Sequence, residues 1–271
     1  MGRTRAEVGQ PAGLNLSADV AAMLQAVLAG VQAQLRDNLV GVYLRGSLVT
    51  GDFIPETSDV DVLAVTERRV SAPEFTALAD LHAQLAAGPN PYANRIELAY
   101  LDRAALRQFQ TGLSHPTLGQ GDKLAWSEHS TNWIFERWTV RRHGIALLGP
   151  PPQTLIDPIS TADILAATRV RLRDWAAWAQ NLSDPEWQAP RRGAAAYVVE
   201  TMCRARYTLA HAELASKRRA VAWARAVLPE PWRATVARAQ AWRADNTTDP
   251  AIVAEVIGFV LWAAAEAPEQ R

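Results

Sequence analysis

Two aspartates one residue apart, Asp59 and Asp61 in Ser58-Asp59-Val60-Asp61, are the residues of this chain best placed for chemistry. They open a β-rich run. Successive side chains of a strand point to opposite faces, so the two carboxylates project together while Val60 turns away. Like charges held that close repel unless a cation lies between them, and hard oxygen donors of this kind suit Mg²⁺ carrying nucleotide phosphates. Upstream, Val40 to Arg45 reads as a strand that ends at Gly46-Ser47. A glycine there lets the backbone approach a phosphate closely, and Ser47 offers a hydroxyl and an amide N–H. Downstream, Glu97 is a lone carboxylate within Arg95-Ile96-Glu97-Leu98-Ala99-Tyr100, where Ile96 and Leu98 take the opposite face. On a strand adjacent to the aspartates, Glu97 would face them. Three carboxylates converging on two metal ions are the equipment for in-line nucleotidyl transfer. A Gly-Ser pair or an Asp-x-Asp alone commonly marks a solvated turn; the ordered combination with a later strand carboxylate is far more specific.

The elements that must hold these residues are legible in outline. Ser17 precedes a run in which Val20, Met23, Leu24, Val27, Leu28, Val31 and Leu35 recur at three- and four-residue spacing, the pattern of a capped amphipathic helix. Strands are expected at Val40 to Arg45, Val60 to Val65 and Arg95 to Leu101, with a helix from Pro73 to Ala87 between the last two. A further helix over Trp133 to His143 leads to a short apolar run, Ile145 to Leu148, and then to Gly149 and three prolines. Beyond Ile159 the chain becomes rich in Ala, Arg and Trp, with few β-branched runs. The expected architecture is an α+β two-domain protein: an N-terminal α/β domain with a mixed sheet over residues 1–155 and a C-terminal all-α helical bundle over 156–271. Trp175 and Trp178 share a helix face suited to packing on another helix. The first dozen residues and the last few carry no such pattern.

Composition narrows the function. With 28 basic residues against 28 acidic ones, the chain has no net field with which to gather nucleic acid or an anionic membrane. Cys203 is the one cysteine, and Met1 to Val20 shows no apolar run with a cleavage site. No stretch is read as a membrane span. The protein is therefore expected in the cytoplasm without nucleic acid or membrane partners, and it is separately expected to be a monomer.

The segment VGVYLRGSLVTGDFIPETSDVDVLAV, Val40 to Val65, together with Glu97, resembles the DNA polymerase β-like nucleotidyltransferase superfamily. Within it the chain is most similar to the aminoglycoside adenylyltransferases acting on streptomycin and spectinomycin, over about Leu24 to Ala263. The resemblance implies ATP and Mg²⁺ as cofactors and an aminoglycoside or aminocyclitol hydroxyl as acceptor of AMP. It gives Asp59 and Asp61 to the metal and makes Glu97 the catalytic base, while Gly46, Ser47 and Ser58 hold phosphates and metal-bound water. The later half carries the resemblance through Gly149-Pro150, Asp157-Pro158, Arg204-Ala205-Arg206-Tyr207 and Lys217 with Trp223-Ala224, which brings Arg204 and Lys217 to triphosphate-binding positions. From Arg169 to Arg243 there are fourteen Arg or Lys against six Asp or Glu, so part of that surface is expected to meet an anion. Trp242 matches the aromatic beside the adenine, and the resemblance implies an active site in a cleft between the domains.

Three acceptor-side candidates follow: Trp126 for stacking on the substrate, with Asp122 and Glu128 to attract a cationic sugar. The family's acidic streptomycin contact falls on Ala194 here, beside Arg191 and Arg192, which favours spectinomycin over streptomycin. A competing reading comes from Arg206 and His211, which resemble the Arg-x4-His motif of HEPN ribonucleases. The remaining histidines, His82, His115, His129 and His143, lack metal-ligand spacing and are expected at the surface or an interface.

Overall fold

The computed structural model describes residues 16–265, so the expectations for the first dozen residues and the last few lie outside the described residues. The chain divides into two compact units between Pro158 and Ile159. In the first, helix α1 (Ala18–Leu35) begins where the Ser17 hydroxyl accepts the Val20 N–H at 3.3 Å. Its seven periodic apolar residues, Val20 to Leu35, are all buried. Strand β1 (Leu39–Leu44), the one-turn helix α2 (Ser47–Thr50), β2 (Val60–Thr66), α3 (Ala72–Ala86) and β3 (Ile96–Asp102) follow. α3 starts in a capping box formed by Ser71 and Glu74, with Pro73 in its first turn, as those residue types favour. Then come α4 (Arg103–Arg107), β4 (Ser114–Leu118), β5 (Ala125–Glu128), α5 (Trp133–His143) and β6 (Ile145–Leu148).

The six strands form one mixed sheet in the order β5-β4-β3-β2-β1-β6. β2 and β3 are parallel, joined by the α3 crossover, and the other pairs are antiparallel. Strand alternation sorts the faces. Val42, Leu44, Val60, Val62, Ala64, Ile96, Leu98 and Tyr100 join the buried residues of α1 and Leu78 of α3 in one core. The alternate residues, among them Asp61 and Glu97, take the opposite face.

Two features go beyond the pattern read in the sequence. β4 and β5 lie in a stretch that the sequence pattern left without elements. Also, Ala18–Asn38 is by length and composition apolar enough to span a bilayer. In this fold its apolar face is spent on the sheet, as in a core helix.

The second unit is all-α, as expected: α6 (Thr161–Gln180), α7 (Arg192–His211), α8 (Lys217–Val227), α9 (Trp232–Trp242) and α10 (Val253–Ala265). Leu172, Val199, Met202, Val236, Phe259 and Val260 lie in its apolar core. Trp175 and Trp178 meet edge to face at 5.1 Å. Some of these basic residues are paired internally: Arg192 bridges Asp245 at 3.1 Å and Asp249 at 2.8 Å, and Arg219 and Arg238 pair with Glu213 and Glu255.

Candidate active site

Three neighbouring strands place three charged side chains in a row. Leu44 registers with Val62 across β1 and β2, and the Arg45 N–H donates to the Asp61 carbonyl at 3.0 Å, which sets Arg45 beside Asp61. Asp61 registers with Glu97 across the parallel β2 and β3 pair. Registered residues share a face, so Arg45, Asp61 and Glu97 project together from the side of the sheet away from α1 and α3. Asp59, two residues before Asp61, belongs to the same side by alternation.

Gly46 is dictated by the aspartate itself. It sits at φ 64° and ψ −146°, and a Cβ placed there would lie 1.9 Å from Asp61 Oδ2. Any other residue would collide with the carboxylate before a phosphate arrived. Ser47 follows as the first residue of α2. Ser58 is buried; its Oγ accepts the Ile54 N–H at 2.9 Å, and its carbonyl accepts from the Arg95 guanidinium. Its hydroxyl therefore closes the loop that delivers Asp59.

Arg45 and Glu136 were not among the residues singled out in the sequence. The Arg45 guanidinium reaches Asp61 at 3.2 Å, Glu136 at 2.8 Å and Glu97 at 3.8 Å. These carboxylates hold it charged, its own pKa pushed above the usual arginine range against the effect of burial. Glu97 moves the other way: burial first, then Asp61, Asp59 and Glu136 against the opposing Arg45, push its carboxyl up to about 7. The row thus carries more negative charge than Arg45 balances.

Among the described residues no three His, Cys, Asp or Glu side chains gather into a metal cage of their own. The donors on this face are nevertheless hard oxygens with excess negative charge, and they fit a cation such as Mg²⁺. That ion is ordinarily held by one or two carboxylates, with phosphate oxygens and water completing its shell.

The acceptor-side candidates lie away from the carboxylate face. Thr117 registers with Ala99 and so shares the face of Glu97; Trp126 registers with Pro116 and Glu128 with Ser114, on the opposite face. The Trp126 ring stacks on Phe75 of α3 at 5.5 Å, with the Arg69 guanidinium 4.6 Å away. Asp122 lies in the β4–β5 turn, lining a small cleft with His82 and Leu85 of α3. All three belong to the helix-covered side. What this stretch contributes to the carboxylate face is Thr117 and His129, whose Nε2 and Oγ1 atoms are 2.9 Å apart, with the His129 ring stacked on Trp133 at 3.7 Å. His82, His115 and His129 are buried rather than at the surface, and burial lowers His129 to about 3, so its ring is neutral.

In the second unit Arg204 of α7 donates from Nε to the Ala215 carbonyl at 3.1 Å, which brings it to the chain entering α8, where Lys217 is the first residue. The Lys217 ammonium stands 4.9 Å from the Tyr197 ring. Trp242 of α9 is buried in the apolar core of the unit, packed as a core residue. Arg206 and His211 diverge: five residues along a helix turn through about 140°, so Arg206 meets Trp262 while His211 packs on Tyr207 and Trp223.

Residues 29–107 match the nucleotidyltransferase domain, a span that contains Gly46, Ser47, Asp59, Asp61 and Glu97. Residues 154–257 match the aminoglycoside adenylyltransferase C-terminal domain, a span that contains Arg204, Lys217 and the Arg206 to His211 segment. Over 235 residues the chain is 26% identical to an aminoglycoside (3'') (9) adenylyltransferase of Shigella flexneri, covering 82% of this chain and 85% of the relative. A protein of the same description from Escherichia coli matches at 26% identity, with 82% and 84% covered. Among solved structures the fold resembles spectinomycin adenyltransferase AAD(9) from Enterococcus faecialis, solved with ATP and spectinomycin. The TM-score is 0.72 at 16% identity, covering 91% of this chain and 99% of that one.

Proposed function

Because the chain belongs to the aminoglycoside adenylyltransferase family, we propose that it transfers AMP from ATP to a hydroxyl of an aminoglycoside or aminocyclitol antibiotic such as spectinomycin, with Mg²⁺ as the metal, and so confers resistance. The observation that carries this reading is the register of Asp61 with Glu97 on parallel neighbouring strands, with Gly46 leaving room for the Asp61 carboxylate.

In this reading Asp59, Asp61 and Glu97 would hold the metal. Bound there, Mg²⁺ would neutralise phosphate charge and make the α-phosphorus easier to attack. Glu97 takes the proton of the acceptor hydroxyl on a carboxylate oxygen as the new O–P bond forms and the bond to pyrophosphate breaks. Burial, the first cause of the raised Glu97 pKa, makes its carboxylate a stronger base than a solvated one. Gly46 and Ser47 admit the phosphates close to the backbone, and the Ser58 hydroxyl keeps the Asp59 loop closed. Arg204 and Lys217 meet the charge of the leaving pyrophosphate. Residues 1–155 act as the nucleotidyltransferase domain and 156–271 as the helical domain, in a cytoplasmic monomer that needs neither nucleic acid nor membrane.

Spectinomycin is the favoured acceptor over streptomycin, since Ala194 offers no carboxylate where the family's streptomycin contact falls. The test is incubation with ATP, Mg²⁺ and an aminocyclitol panel, read by mass spectrometry. Spectinomycin should gain the mass of one AMP; absence of any adduct across the panel would sink the reading.

A further inference from the structure

Arg45 is 7% exposed and engaged on every side. Its Nη1 lies between Asp61 Oδ1 and Glu136 Oε2, its Nη2 faces Glu97 Oε2, its Nε–H points to the Val62 carbonyl at 3.5 Å, and the Trp133 ring is 5.7 Å from the guanidinium carbon. A buried guanidinium so held cannot turn to other partners without leaving charge uncompensated. Its ion-pair partner from outside the three central strands is Glu136, which reaches in from α5, the helix that also carries Trp133, 91 residues along the chain, and keeps its side chain 30% exposed. Neither residue has a part in the metal-binding or proton-accepting roles described above.

We propose that Arg45 is a positioning residue for the adenylyl transfer, holding the Asp61 and Glu97 carboxylates in one attitude, and that Glu136 is the clamp that keeps Arg45 in place. The inference rests on the function proposed above. Asp61 and Glu97 stand on neighbouring strands about 4.8 Å apart, where two carboxylates repel and would otherwise swing away from each other. A planar fork with donors on two nitrogens can face both at once and still donate to Glu136. A lysine ammonium is a single point of charge and cannot span the same three partners. The row is therefore ordered before any cofactor arrives, which is what reactions governed by orientation require.

Arg45→Lys, Arg45→Met, Glu136→Gln and the double variant Arg45→Met/Glu136→Gln test this. If orientation is what Arg45 supplies, Arg45→Lys should lower kcat about tenfold or more while the KM for spectinomycin stays within about threefold. Because Glu136 acts through Arg45, the double variant should be no slower than Arg45→Met alone, within about twofold. Additive losses, a loss carried by KM alone, or a kcat for Arg45→Lys within about twofold of wild type would overturn the proposal. A second reading needs no turnover. In protein without metal or nucleotide, Arg45→Met should lower the melting temperature, and adding Asp61→Asn to it should recover part of that loss by relieving uncompensated repulsion. A further fall instead would overturn the proposal. Should Arg45→Met not fold, Arg45→Lys carries both measurements. If wild-type protein transfers no AMP, the proposed function falls and the melting series still decides whether Arg45 holds the carboxylates.

Discussion

Replacing Gly46 with alanine adds one methyl group to the most crowded point of the site. The new Cβ would lie 1.9 Å from Asp61 Oδ2 and 2.5 Å from its Cγ. Since real Cβ atoms essentially never approach within 3.0 Å, the carboxylate must retreat by about 1.1 Å or more. It cannot do so freely, because its other oxygen is held by Arg45 at 3.2 Å. The backbone adds a second cost, since φ 64° with ψ −146° is open to glycine and strained by roughly 1–3 kcal/mol for alanine. At roughly 2–4 °C per kcal/mol for a unit of this size, melting should fall by about 2–12 °C and leave a folded protein. Displacing a reacting group by about 1 Å costs on the order of a hundredfold in rate, so kcat should drop far more than the folded fraction does. The assay pairs initial rates of AMP transfer to spectinomycin, at saturating ATP and Mg²⁺, with a melting curve on the same preparation. A Gly46→Ala protein whose kcat stays within about threefold of wild type would refute the reasoning, because Asp61 would then not need the position that the glycine protects.

Glu97→Gln keeps the shape of the base and removes its basic carboxylate oxygen, so kcat should fall by at least about a hundredfold with binding of a non-hydrolysable ATP analogue retained; turnover near wild type would dismiss Glu97 as the base. The same variant carries a pH signature. The folded-state pKa of Glu97 is raised from 4.5 to about 7, so the fold gains from the neutral form at low pH and loses that gain as pH rises through about 7. In metal-free buffer Glu97→Gln should therefore melt above wild type at pH 8 and no differently at pH 4; a lower melting point at pH 8 would contradict the charge crowding described here. Lys217→Ala should weaken ATP-analogue binding measured by calorimetry, and an unchanged affinity would remove Lys217 from the phosphate site. Trp126→Ala should lower the melting temperature through loss of the Phe75 stack while leaving the spectinomycin KM unchanged; a raised KM would return Trp126 to the acceptor site.

The parts of this protein that could be read directly are those set by local periodicity. Apolar residues at three- and four-residue spacing became α1 with every one of them buried, and period-2 alternation around Asp61 and Glu97 correctly put both carboxylates off the apolar face. The Ser-Asp-Val-Asp and Gly-Ser segments likewise pointed to nucleotidyl transfer, because turn and strand chemistry over a few residues is written in neighbouring positions. Pairing between distant segments is written nowhere locally. β4, Ser114–Leu118, contains His115 and Pro116, and β5 is four residues long, so neither offers an alternating apolar run to recognise. Missing them left Trp126 and Glu128 without a face, and it was register with Pro116 and Ser114 that put both on the face opposite Glu97. Arg45 looked like the ordinary end of a strand. Only closure of the sheet put it beside Asp61, and only the return of α5 brought Glu136 to it, because the energy of a buried guanidinium depends on partners that three-dimensional packing supplies from 16, 52 and 91 residues away.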